Sequence, residues 1–119
     1  MIENVKEASL LYDFYGQLLT KRKQEVMQLY HEEDYTLAEI ADEFGISRAA
    51  VHDSLKSAEK SLLEYEEKLG LVAKFTKTGT AISRVDSMLA DMTETYRDNH
   101  EIVSRLKEIQ DVIDGLGDM

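Results

Sequence analysis

One stretch, Thr36–Leu55 (TLAEIADEFGISRAAVHDSL), constrains the fold of this chain more than any other. Leu37, Ile40, Ala41 and Phe44 recur at helical spacing and run into Gly45, a helix-ending residue. Ser47 then opens a second helical run, with Val51 and Leu55 one turn apart. Two short helices joined by a tight, glycine-containing turn form a helix-turn-helix unit, which sets its second helix into a DNA groove. The small Ala41 suits a close helix crossing, and Gly45 supplies the positive φ such a turn needs.

The rest of the chain fits an all-α protein. It has 119 residues with no proline and six glycines, and few β-branched runs. That length predicts a helix-turn-helix domain over 1–70 and a C-terminal helical extension over 71–119. The absence of cysteine excludes disulfides, thiolate chemistry, zinc fingers and iron–sulfur sites. No apolar run approaches the ~18 residues of a membrane span, and Glu3, Lys6 and Glu7 are unlike a signal peptide. A cytoplasmic location is the expectation.

Charge sets the strongest condition on a nucleic-acid reading. The formal net charge is −10, whereas duplex affinity comes largely from Lys and Arg neutralising phosphates. Residues 1–60 carry seven basic and twelve acidic side chains, and 61–119 carry the same numbers. The acidity is therefore spread evenly, and binding must rest on a small local positive patch.

In chain order, Ile2–Tyr15 reads as a first helix with Val5, Ser9, Tyr12, Leu11, Phe14 and Tyr15 around one face, closed by Gly16. Thr20 caps a helix from Lys21 to about His31, with Val26, Met27, Leu29 and Tyr30 inward. Its first turn, Lys21-Arg22-Lys23, is the one consecutive basic triplet in the chain. Such charge opposes the helix dipole, so the triplet is either a solvated helix start or a phosphate clamp. Glu32-Glu33-Asp34 forms an acidic loop. Thr36 with Glu39 forms a capping box, and Ser47 caps the recognition helix.

The recognition helix has no stop signal before Gly70, and Val51, Leu55, Ala58, Leu62, Tyr65 and Leu69 form a heptad-like seam along it. The rhythm continues through Leu71, Phe75, Thr78, Ile82, Val85, Leu89, Met92 and Tyr96, where Gly79 permits a kink or break near Thr76–Thr80. A last helix, about Asn99–Asp114, repeats it at Ile102, Leu106, Ile109 and Ile113, and Gly115 and Gly117 predict a frayed end. Spacing alone fits a monomer core or a dimer interface equally. Helix length favours a homodimer, because two such seams exceed what a small domain can cover.

No catalytic or metal constellation is present in the sequence. His31, His52 and His100 lie far apart without metal-ligand spacing, and His31 reads as a solvated helix end beside Glu32 and Glu33. There is no glycine-rich phosphate loop and no nucleophile with an adjacent base. The chain reads as a non-enzyme without cofactor or metal. The six tyrosines and three phenylalanines fall mostly on apolar faces, which marks them as core.

Leu18–Leu62 resembles sigma-factor region four, the module that reads a promoter's upstream element. "KRKQEVMQLY", "YTLAEIADEFGIS" and a recognition helix of V-x-x-x-L-x-x-A-x-x-x-L form carry the likeness. Over nearly the full chain, "LLYDFYGQLLTKRKQEVMQLY" and "EKLGLVAKF" look like the YlxM-type helix-turn-helix family. That family is small, bacterial and encoded beside components of the signal recognition particle pathway. The resemblance implies a sigma-like all-helical fold, a cytoplasmic location and a regulatory link to protein targeting.

Carried onto this chain, the likeness puts Arg48, Ala49, His52, Asp53 and Lys56 on the groove-facing side of the recognition helix. Arg48, His52 and Lys56 share one stripe, four residues apart; arginine can bind guanine bidentately and lysine can contact phosphate or guanine. The sequence departs from the pattern at Ser54, Ser57 and Glu59, where sigma-like modules often carry arginine or lysine, and Glu59 joins Asp53 as negative charge on the exposed face. Lys21, Arg22, Lys23, Arg48, Lys56 and Lys60 are the candidate phosphate contacts, about four to six at once. Three functions follow: a dimeric DNA-binding regulator, an accessory protein binding the RNA or protein subunit of the signal recognition particle, and an acidic adaptor that keeps the fold without nucleic-acid contact.

Overall fold

Side-chain caps set where the helices begin. Asn4 Oδ1 accepts the Glu7 N–H (3.1 Å) and starts α1, Val5–Tyr15. Thr20 Oγ1 accepts from Lys23 N (3.4 Å) at α2, Lys21–Met27. Thr36 starts α3, Leu37–Phe44, and Ser47 starts α4, Arg48–Leu69. Two further helices follow, α5 over Leu71–Thr95 and α6 over His100–Gly117. This computed structural model describes residues 2–117, among which there is no β-strand. The chain divides into two compact units, Met1–Val72 and Ala73–Met119.

The first unit is built on α4. Val51, Leu55, Ala58 and Leu62 are fully buried along it, against Leu11 and Tyr15 of α1, Val26 and Met27 of α2, and Ile40 and Ala41 of α3. The four–three spacing of the recognition helix is therefore domain core over these positions. Truncating Leu55 or Leu62 to alanine costs about 2–5 kcal/mol in sites of this kind. Where α4 ends, at Gly70 with φ 62°, the next helix starts on borrowed acceptors. The Leu71 N–H donates to Tyr15 Oη (3.0 Å), the Val72 N–H to Glu66 Oε1 (2.9 Å), and the Tyr15 hydroxyl donates to the same Glu66 oxygen (2.6 Å). These bonds satisfy N–H groups that a helix start otherwise leaves unpaired. Burial, and then the bond to Glu66, push the Tyr15 phenol above its ordinary range.

Several sequence expectations are corrected in this unit. α1 begins at Val5 rather than Ile2, and Val5 and Phe14 are exposed while Ala8 takes the buried position. Gly16 does close α1, at φ −56°, and a Cβ there would lie 3.0 Å from the Tyr12 ring. The helix expected over Lys21–His31 ends at Met27 and widens into a π-helical turn, Gln28–Glu32, in which the Glu33 N–H reaches Gln28 O (3.1 Å). His31 is not a solvated end. Its side chain is 10% exposed and its Nε2 lies 2.9 Å from Glu59 Oε1. Glu59, expected on the exposed face of α4, is buried, and its other oxygen accepts the Ile2 N–H (2.9 Å). Leu69, at the end of the seam, is exposed.

In the second unit α5 runs through Gly79 as one helix, without the break that residue permits. Asn99 Oδ1 accepts the Ile102 N–H (3.1 Å) and caps α6, which continues helical through Gly115 to Gly117 where a frayed end was expected. The two helices are antiparallel neighbours: Ile82 and Val85 share a groove with Ile113 and Leu116. Among the described residues of this unit Leu89 and Leu106 are the buried apolar side chains, and Met88, Met92, Ile109, Val112 and Leu116 are exposed. The carboxyl of Asp86 hydrogen-bonds that of Asp114 and holds it above the ordinary carboxylate range. The second oxygen of Asp86, Oδ1, is buried with no partner among the described residues.

Candidate nucleic-acid interface

The turn between α3 and α4 is over-determined by local bonds. Thr36 Oγ1 accepts the Glu39 N–H and Glu39 Oε1 accepts the Thr36 N–H, both at 3.1 Å, which completes the capping box. At the other end Gly45 sits at φ 65°, ψ 35°, and Ala41 O accepts both its N–H and that of Ile46 (3.1 Å). No atom lies within 4 Å of a Cβ built on Gly45, so the requirement for glycine is conformational rather than steric. One residue on, Ser47 Oγ accepts the Ala50 N–H (3.0 Å) and fixes the start of the recognition helix.

That start projects from the core. Arg48, Ala49, Asp53 and Lys56 are exposed, and His52 is half-exposed beside them. His52 Nδ1 stands 3.8 Å from Asp53 Oδ1, but the Asp53 side chain is 83% exposed, so its charge remains available to solvent or ligand. From Val51 onward one side of α4 is committed to the core, which leaves the first turns to meet a ligand. The basic triplet lies close by. Lys21 and Arg22 are exposed, Lys23 is half-buried, and the Arg22 guanidinium lies 4.4 Å above the centre of the Phe44 ring. This cation–π contact ties the start of α2 to the end of α3, immediately before the turn.

Lys56 and Lys60 lie further along α4. Both are exposed, and both line an open groove bordered by Glu3 and Glu7 of the α1 end and by Glu64 and Glu67 of α4. Glu3 and Glu7 thus stand across the same groove from these lysines, a placement that sequence spacing along α4 does not reveal. Among the described residues no group of three or more His, Asp or Glu side chains could hold a metal ion, and no helix is long and apolar enough to cross a membrane.

The caps, the left-handed turn and the projecting second helix define a helix-turn-helix protein of the all-α class. The chain belongs to the UPF0122 family, described as "Putative helix-turn-helix protein, YlxM / p13 like", whose match covers residues 2–109. Among similar proteins, a UPF0122 protein of Desulforamulus reducens is 49% identical over 81 residues, 68% of this chain and 69% of the relative. One from Lactococcus lactis subsp. cremoris is 38% identical over 111 residues, covering 93% of this chain and 94% of its own length. One from Symbiobacterium thermophilum is 42% identical over 98 residues, 81% of this chain and 92% of its own.

Proposed function

We propose that this chain is a cytoplasmic, dimeric DNA-binding regulator whose recognition helix is α4. The observation that carries this reading is the exposed start of α4, with Arg48, Ala49, His52 and Asp53 outward on a firmly capped helix-turn-helix. Arg48 and Lys56 supply base-edge and phosphate contacts, and Asp53 accepts from a cytosine amino group. Lys21, Arg22, Lys23 and Lys60 contact the phosphate backbone. The dimer is supported by the second unit, whose α5 and α6 leave Met88, Met92, Ile109, Val112 and Leu116 uncovered. Pairing two such hairpins doubles the phosphate contacts available to an acidic chain. In a mobility-shift assay at low salt the parent retards random duplex, and Arg48→Glu with Lys56→Glu abolishes the shift. An undiminished shift by the double variant rejects α4 as the contact. Light scattering reads the dimer mass, and a monomer at micromolar concentration rejects the dimer.

A second reading is favoured by the carboxylates beside Lys56 and Lys60, which suit a protein partner better than phosphates. In it the fold serves as an accessory of the signal recognition particle, binding its RNA or protein subunit. Co-purification with the particle or stimulation of its GTPase supports it, and no binding to the purified RNA and protein rejects it. Failure to bind any DNA or RNA at low salt leaves an adaptor without nucleic-acid contact.

A further inference from the structure

We propose that the groove between the start of α1 and the middle of α4 docks a basic amphipathic helix of a partner protein. The groove has a volume of about 710 Å³, within the range that accepts several side chains together. Its floor is apolar, formed by Ile2 and by Leu63, which is 43% exposed although its neighbour Leu62 is fully buried. The walls do not have to form on binding. The Ile2 N–H is held by Glu59 (2.9 Å), which is itself held by His31 (2.9 Å), so the α1 end is already fixed to α4.

Charge identifies the occupant. Glu3 and Glu7 line one rim and Glu64 and Glu67 the other, so an apolar stripe entering the groove meets carboxylates on both flanks. A helix with lysine or arginine on either side of its apolar stripe is complementary to that arrangement. Nucleic-acid phosphates would be repelled there. Lys56 and Lys60 occupy the end of the groove nearer the α3–α4 turn. That polarity orients the partner: the negative C-terminal end of its helix dipole lies by the lysines, and its basic flanks lie by Glu64 and Glu67. The inference does not require nucleic-acid binding: Lys56 and Lys60 are shared with the proposed nucleic-acid face, whereas Ile2, Leu63, Glu64 and Glu67 belong to the groove alone.

The probe is an alanine-based helical peptide with a leucine stripe at four–three spacing flanked by lysines, and its control carries glutamates in place of the lysines. Isothermal titration at low salt gives binding of the lysine peptide and none of the glutamate peptide. Glu64→Lys with Glu67→Lys weakens binding about tenfold or more, which is about 1.4 kcal/mol. Leu63→Ser weakens it without changing charge. Asp91→Lys with Asp111→Lys, the same charge change on exposed positions of the second unit, alters it less than about twofold. Equal weakening by the two charge reversals shows only attraction to an acidic chain and overturns the proposal. So does tight binding of the glutamate peptide, or no binding of the lysine peptide. All four charge-reversal positions are exposed, and thermal melts of each variant verify the fold.

Discussion

Glu59, 3% exposed at the centre of α4, holds the His31 Nε2 at 2.9 Å and the Ile2 backbone N–H at 2.9 Å with its two oxygens. One buried carboxylate thus joins the π-helical turn, the chain start and the recognition helix. Removing His31 leaves one Glu59 oxygen desolvated and without its partner while the other keeps the Ile2 N–H. His31→Ala is expected to lower unfolding free energy by roughly 2–4 kcal/mol, read from the urea midpoint at constant m-value. A change within about 0.5 kcal/mol contradicts a structural role for the pair.

Gly45 and Gly79 respond to alanine in opposite directions. Gly45 has φ 65° and open space around it, so alanine there is penalised by the backbone alone, about 1–2 kcal/mol. Gly79 lies within a continuous helix, also with open space, so alanine stabilises by roughly 0.5–1 kcal/mol. Thermal unfolding of the two variants beside the parent measures both signs.

Tyr15 predicts alkaline sensitivity. Its phenol is raised above the 10.0 of an unfolded chain, by burial first and then by the bond to Glu66. The folded state therefore retains a proton that the unfolded state loses, and stability is full below about pH 10 and falls as pH rises through the folded value. Tyr15→Phe flattens that decline, and it lowers the melting midpoint at neutral pH by removing the hydroxyl's bond to Glu66 and the acceptor of the Leu71 N–H. Melting curves between neutral and strongly alkaline pH verify both effects.

Asp86 and Asp114 predict the opposite end of the scale for the second unit. Asp114 is raised above 3.8 by its hydrogen bond with Asp86. Its contribution is full below that unfolded value and is lost as pH rises through the folded one. At neutral pH the two carboxylates repel, so Asp114→Asn raises the melting temperature there and has little effect at strongly acidic pH. An equal shift at both pH values refutes the shared proton.

Thr36, Gly45 and Ser47 are legible in the sequence because caps and left-handed turns act within four residues of chain. The exposed stripe of Arg48, His52 and Lys56 follows from helical spacing for the same reason. Glu59 misleads because its partners His31 and Ile2 are brought to it only by tertiary packing, and His31 misreads beside acidic neighbours that it does not contact. The π-helical turn over Gln28–Glu32 has no local signal, since its residues suit an ordinary helix equally. The placement of Lys56 and Lys60 beside Glu3 and Glu7 is likewise invisible along α4, because those carboxylates arrive from the other end of the domain.

Nucleic-acid contact through α4 is tested most directly by the salt dependence of duplex binding. Anisotropy titrations of a labelled random duplex give the slope of log K against log salt for the parent and for Arg48→Glu with Lys56→Glu. About four to six phosphate contacts in each protomer of the dimer predict a slope of about −7 to −11 for the parent, and residual binding by the double variant has a slope shallower by about four. Identical slopes and affinities for the two proteins, or no binding at the lowest salt, would contradict a nucleic-acid role for the recognition helix.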